Sequence, residues 1–252
     1  MKALIGPHAG LYFSGPTAAW AYQYVTRPND IKRVFIFGPS HHKYFPGCTL
    51  TNVDEYNTPL GPIPIDIETV DKLKQEEGFH TLDIDDDEDE HSIEMHLPYI
   101  AKVLGKEVKL VPILTGPVNE EMADKYGRIF APYFDDPETL FIFSSDFCHW
   151  GKRFNFTYHN ADHGQIWQGI EKLDGEGMNL IQAHNFQGFN QYINSTKNTI
   201  CGRHPLFVFL KIVQHSKLKV RTKFVKYSQS SQCKQPGDSS VSYASGVTFE
   251  DE

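Results

Sequence analysis

Six short apolar runs, set apart by stretches with helical spacing, constrain the fold of this chain more than any other feature. The runs are Lys2–Ile5, Arg33–Phe37, Val108–Leu114, Leu140–Phe143, Lys223–Tyr227 and Ser242–Phe249, and each reads as a buried strand. Helical patterns between them cover Thr17–Tyr24, Ile67–Glu77, Asn119–Tyr133, Asn160–Leu173, Met178–His184, Phe186–Ile193 and Pro205–Gln214. A further helix over Glu94–Leu104 requires Pro98 in its first turn, where a missing N–H is tolerated. Strand and helix alternating in this way predict an α/β fold with a largely parallel central sheet and helices on both faces. The last two strands are joined by the polar loop Ser228–Ser240, with a Pro236-Gly237 turn signal, and are expected to form an antiparallel edge. No repeat, low-complexity linker or shift in composition divides the chain, which is read as one domain over residues 1–252.

Three of the strands end alike. The first runs into Pro7-His8-Ala9-Gly10, the second into Pro39-Ser40-His41-His42, and the third into Asp146-Phe147-Cys148-His149-Trp150. Ligands in open α/β sheets bind beyond the carboxyl ends of the strands. Three strands that each deliver a histidine to that edge point to a shared polar site, and the adjoining Gly and Pro let the backbone turn sharply without bulk.

A fourth segment, Asn198-Thr-Ile-Cys201-Gly-Arg-His-Pro205, enters the helix that follows it. Pro205 suits a first helical turn, so Cys201 lies just before a helix N-terminus, where the dipole favours a thiolate that binds metal or attacks an electrophile. The bland alternative is a small buried apolar cysteine. Asp146, three residues before His149, is placed to orient an imidazole, act as a base or ligate metal, or else to cap the next segment. In Asp89-Glu90-His91-Ser92-Ile93-Glu94-Met95-His96 the two histidines stand five apart, pointing to different sides of a helix, so the segment is no zinc-protease motif; it borders the pocket through His91, Glu94 or His96.

Composition excludes several classes. A net charge of −8 argues against a nucleic-acid binder. Acidity gathers in Asp83–Glu90, a run read as a solvated loop. No run reaches the ~18 apolar residues of a membrane span, and the N-terminus lacks a secretory pattern, so a cytoplasmic and also nuclear location is expected. The four widely spaced cysteines then read as free thiols or ligands. Nucleophile-elbow, dinucleotide and P-loop motifs are absent from the sequence.

Several segments resemble the Memo family, named for a mediator of receptor-tyrosine-kinase-driven cell motility. They are GPHAG at Gly6–Gly10, GPSHH at Gly38–His42, DEDEHSIEMHLPY at Asp87–Tyr99 and SSDFCHWG at Ser144–Gly151. NTICGRHP at Asn198–Pro205, YSQSSQC at Tyr227–Cys233 and DSSVSYA at Asp238–Ala244 extend the likeness over nearly the whole chain. Members carry a further N-terminal segment ahead of GPHAG, so part of a pocket wall or a subunit contact is expected to be missing here. The resemblance implies a fold like that of the class III extradiol dioxygenases. It also implies a pocket in which His8, His41 and Cys201 hold iron or copper, with Asp146 and His149 beside it as catalytic groups. Copper-linked oxidant production and binding of phosphotyrosine peptides are the activities it implies. The dioxygenases hold Fe(II) with two histidines and a carboxylate; a thiolate in third place shifts preference towards Cu(I) and leaves zinc open.

Overall fold

The structure, a computed structural model, describes residues 1–251. Its centre is a sheet of strands β1 (Ala3–Gly6), β2 (Arg33–Pro39), β3 (Cys48–Leu50), β6 (Phe79–Thr81), β7 (Lys109–Thr115), β8 (Thr139–Ser144), β10 (Val220–Gln229) and β11 (Ser240–Glu250). They lie in the order β10-β11-β1-β8-β2-β7-β3-β6, with a short β9 (His149–Trp150) added to β11. A small hairpin, β4 (Glu55–Tyr56) with β5 (Ile63–Pro64), stands apart. The helices are α1 (Leu11–Tyr22), α2 (Ile67–Lys74), α3 (Ile84–Glu88), α4 (His91–Glu94), α5 (Leu97–Leu104), α6 (Glu120–Asp135), α7 (Ile166–Gln182), α8 (Phe186–Thr196) and α9 (Arg203–His215).

The central strands β1, β8, β2 and β7 run parallel, as expected. All of β8 and nearly all of β2 is buried, because helices cover both sides of these strands and leave no face for water. Residues brought opposite each other pack as aromatic pairs: Phe35 stacks on Phe141 at 4.8 Å and Phe37 on Phe143 at 5.0 Å. Phe130 and Phe134 of α6 and Phe209 of α9 meet these rings edge-on or tilted, and this aromatic layer is the heart of the core. The last two strands pair antiparallel at one edge, and β11 also pairs antiparallel with β1.

Several elements differ from the expectation. The helix read as Thr17–Tyr24 starts at Leu11: Gly10 gives no side-chain cap and Pro16 lies inside the helix, so its first turns carry no sequence signal. The helices read as Asn160–Leu173 and Met178–His184 are the single α7. The Gly175-Glu176-Gly177 step looks like a break, yet a β-carbon on Gly177 would stand 2.9 Å from the Tyr192 ring, so that glycine serves close packing. The helix expected over Glu94–Leu104 is interrupted between α4 and α5, with Pro98 in the first turn of α5. The acidic run is not simply a solvated loop. It forms α3, where Asp87 accepts hydrogen bonds from Thr51 (2.6 Å) and Tyr56 (2.5 Å), and it ends at the buried Glu90.

Because β1, β8 and β2 are parallel neighbours, their carboxyl ends open at one edge of the sheet. Gly6 lies in register with Ser144, and Gly38 in β2 comes close to Ser92: a β-carbon there would stand 2.4 Å from its hydroxyl. The backbone therefore drops tightly from each strand into the segments bearing His8, His41 and Asp146.

Candidate metal centre

His8 follows β1 and is buried to 1% exposure. Its backbone N–H and that of Ala9 both donate to Asp146 Oδ1, at 2.9 and 3.3 Å, which ties the turn after β1 to the end of β8. His41 follows β2. Glu90 holds it twice, accepting the backbone N–H at 2.6 Å and the ring Nδ1–H at 2.9 Å. Glu90 also caps α4 by accepting from Ser92 N at 2.9 Å, and this fixes the neighbouring His91. The His91 ring stacks on His41 at 4.6 Å and meets the edge of His8 at 5.6 Å. Among the described residues, His8, His41 and His91 form the trio whose donor atoms all lie within 4.8 Å of one another.

The hydrogen-bond network assigns the tautomers. Ser144 donates its hydroxyl proton to the Ser92 carbonyl (2.7 Å), so it accepts from His8 Nδ1 (2.6 Å) and from His96 Nε2 (3.0 Å). The His8 proton therefore sits on Nδ1, and Nε2 keeps a free lone pair. Glu90 fixes His41 in the same way, with Nε2 free. Burial, reinforced by the imidazoles of His41, His96, His91 and His149, holds His8 well below the usual histidine range, so it is neutral at physiological pH. Burial likewise lowers His91. In Glu90 burial pushes the carboxyl up, but the hydrogen bonds and charge of His41 outweigh it and leave the group at about 2. Imidazoles held through Nδ1 by Ser144 and Glu90 aim their Nε2 atoms at a common point, the arrangement that binds a metal, so the residues present fit one.

Cys201 lies just before α9, with Pro205 in the first turn as expected. Its Sγ sits 3.2 Å from His8 Nε2 and accepts the Asp146 N–H at 3.3 Å. Gly202 makes this possible, since a β-carbon there would stand 2.3 Å from Ser145 Cβ. The expected thiolate does not follow from the helix alone. Burial pushes the thiol up, nearby Asp146 adds to this, and Arg203 opposes it only weakly. Without a cation the sulfur keeps its proton. The structure thus brings Cys201 to His8 but outside the mutual trio, whose third place His91 takes.

His149 also lies at this sheet edge. The expectation that Asp146 orients it is not what the geometry shows: His149 Nδ1 donates to the carbonyls of Phe147 (2.9 Å) and Thr199 (3.1 Å), while Asp146 serves the turn at His8. Burial raises Asp146 to about 6 against the pull of the His8 and Ala9 N–H groups, so its carboxyl titrates near neutrality. His91 and His96 face different ways, as their spacing requires. His91 joins the cluster, whereas His96 is buried, lies between Tyr22 OH (2.8 Å) and Ser144, and falls to about 4 by burial. Glu90 was missed as the group orienting His41. Its one sequence signal is that the acidic run ends directly against His91.

The family model described as Memo-like protein matches residues 1–247. The chain is 43% identical to human Protein MEMO1 over 252 residues, covering 98% of this chain and 84% of that protein. It is 43% identical to the Caenorhabditis elegans Protein memo-1 homolog over 254 residues, covering 98% and 72% of the two. Among solved structures, uncharacterized protein JW3007 from Escherichia coli K12 superposes with a TM-score of 0.53 at 15% identity, covering 96% of this chain and 98% of that one, a likeness of fold alone. On a family match across nearly its whole length and relatives at this identity, the chain belongs to the Memo-like protein family.

Proposed function

We propose that the pocket binds a redox metal, iron or copper, through His8 and His41, with His91 and Cys201 completing the donor set. The observation that carries this reading is the convergence of three imidazoles within 4.8 Å, two of them with tautomers fixed by Ser144 and Glu90. Three imidazoles and one sulfur suit copper or iron and also fit zinc. When bound, such a metal would supply one-electron chemistry to a Memo-like protein in redox or cell-motility signalling. Asp146 and His149 stand beside it as the groups that hold and move protons. Asp146 does so near neutral pH.

The competing reading, an adaptor pocket for the phosphate of a phosphotyrosine peptide, is weaker on charge. An anion would meet the carboxylates of Glu90 and Asp146, and burial disfavours the charged form of His8 and of His91. No helix among the described residues is long and apolar enough to cross a membrane. The four cysteines are free thiols, which supports a reducing compartment, the cytoplasm or nucleus. The test is titration of Cu(I) and Fe(II), each against a competing chelator, into the parent protein and the His8→Ala and His41→Ala variants. Saturable one-site binding that both variants abolish supports the reading. Binding that survives both removes it, and parallel titration with phosphotyrosine shows whether the anion pocket replaces it.

A further inference from the structure

Three hydrogen bonds run inward from His8, on the side of its ring away from Nε2. His8 Nδ1 bonds Ser144 at 2.6 Å, Ser144 bonds His96 Nε2 at 3.0 Å, and His96 Nδ1 bonds the phenol of Tyr22 at 2.8 Å. All four residues are buried, at 3% exposure or less. Gly6 leaves room for the chain, since a β-carbon there would stand 2.9 Å from His96 Cε1. Ser144 gives its own proton to the Ser92 carbonyl and accepts from both rings. His96 therefore carries its proton on Nε2, and the Tyr22 hydroxyl donates to the free lone pair of His96 Nδ1.

The chain joins the pocket to a tyrosine whose hydrogen-bond partner is a base. A phenol that loses an electron becomes a strong acid, and the loss is easy only where a base lies within reach, about 2.6–3.2 Å away. Such a phenol is far more acidic than an imidazolium, so even a histidine that burial lowers to about 4 takes its proton. The Tyr22 ring stacks on Tyr99 at 4.9 Å and 13°. Tyr99 is partly exposed and donates to the Gly15 carbonyl at 3.1 Å, an acceptor that is no base. Within the stacked pair, then, Tyr22 is the ring that can lose an electron and keep its proton inside the protein. Tyr56 and Tyr227 donate to the carboxyls of Asp87 and Asp174, but among the described residues no chain of hydrogen-bonded side chains joins either to His8.

We propose that Tyr22 is a one-electron donor to the histidine pocket, with His96 taking its proton and Tyr99 relaying electrons from the surface. In the step the Tyr22 O–H bond breaks. The electron passes to iron or copper that hydrogen peroxide has oxidised at His8 and His41, which is reduced by one. The proton passes to His96 Nδ1, leaving a neutral tyrosyl radical beside an imidazolium. An external one-electron reductant of the ascorbate or thiol class restores Tyr22 through the Tyr99 ring, and the proton returns from His96. The oxidant rests on the metal reading; the chemistry of the Tyr22–His96 pair does not.

The test begins without metal. Chelator-treated protein is oxidised by flash-generated tris(bipyridine)ruthenium(III), frozen, and read by electron paramagnetic resonance. The exposed Tyr12 and Tyr44 give radicals that decay by coupling between molecules, whereas Tyr22 should give a long-lived tyrosyl signal that Tyr22→Phe loses. In protein with ¹⁵N-labelled histidine that signal should carry a coupling to an imidazole nitrogen, which a merely structural tyrosine would not show. In His96→Gln it should form about 100-fold more slowly, the lower end of what a positioned proton acceptor contributes. No long-lived signal in the parent, a signal that survives Tyr22→Phe, or one without nitrogen coupling would overturn the proposal. In a second arm the parent is loaded with Cu(II) or Fe(II) and given hydrogen peroxide. The same signal should appear, and His8→Ala should lack it. Metal that binds in the chelator titration yet yields no Tyr22 radical would cut the tyrosine off from the pocket and overturn the proposal, with the metal reading intact. Absence of metal binding would defeat the metal reading, and the flash arm would still decide Tyr22.

Discussion

Glu90→Gln is the substitution that most sharply probes how the pocket is prepared for a metal. Glu90 accepts three N–H groups, from His41 Nδ1, His41 N and Ser92 N. A glutamine of the same shape has one oxygen and an NH₂ that cannot accept. Its amide nitrogen must therefore face a donor, or His41 must move its proton to Nε2, the atom that would hold the metal. Loss of such an orienting carboxylate costs 10–100-fold in metal affinity, about 1.4–2.7 kcal/mol. Stability changes as well. Glu90 is nearly buried, and its carboxyl falls from an ordinary 4.5 to about 2. A depressed carboxyl contributes stability that is present above the unfolded value and is lost as pH falls through the folded one, here between about 4.5 and 2. The difference corresponds to roughly 3 kcal/mol. Competition titration with Cu(I), beside urea unfolding from pH 2 to 7, measures both quantities. The variant should bind copper at least tenfold more weakly and lack much of the parent's acid-side loss of stability. Parental affinity together with a parental acid limb would refute the assignment of Glu90 as the group that sets His41.

Cys201→Ser keeps the size of the side chain but removes the soft donor. Cu(I) affinity should fall about tenfold, or 1.4 kcal/mol, whereas Cys148→Ser and Cys233→Ser bind as the parent does in the same titration; equal affinity in all three removes the sulfur from the site. Asp174, fully buried in α7, accepts from Cys148 N, Asn198 Nδ2 and Tyr227 OH, and burial raises it to about 6 from 3.8. The stability from this raised carboxyl is complete below about pH 4 and is lost as pH rises through 6. Asp174→Asn should therefore gain on the parent by up to about 3 kcal/mol between pH 4 and 7; a difference that does not vary with pH in urea unfolding would exclude ionisation of Asp174 as the cause.

The sheet was legible because buried parallel strands write themselves as continuous apolar runs. Arg33–Phe37 and Leu140–Phe143 were found within two residues of the ends of β2 and β8. The convergence of His8 and His41 followed from that, since parallel neighbours open at one edge. The rest depends on contacts that no local pattern encodes. β3 and β6 have three residues each and join the sheet beyond β7, where pairing alone defines them. Glu90 reads as the end of a charged run; only the chain's return past His41 turns it into a buried acceptor. His91 and Cys201 show the limit at the site. Spacing put His91 on a different side from His96 but not which side, and the helix start behind Cys201 suggested a thiolate where burial and Asp146 favour the thiol.

The measurement that tests the central claim most directly is the metal content of untagged protein, purified without added metal, by elemental analysis beside the His8→Ala/His41→Ala double variant. The account predicts close to one equivalent of iron or copper per chain in the parent and almost none in the variant. A parent that carries no metal and takes up none on reconstitution, or a variant that retains as much as the parent, would contradict it.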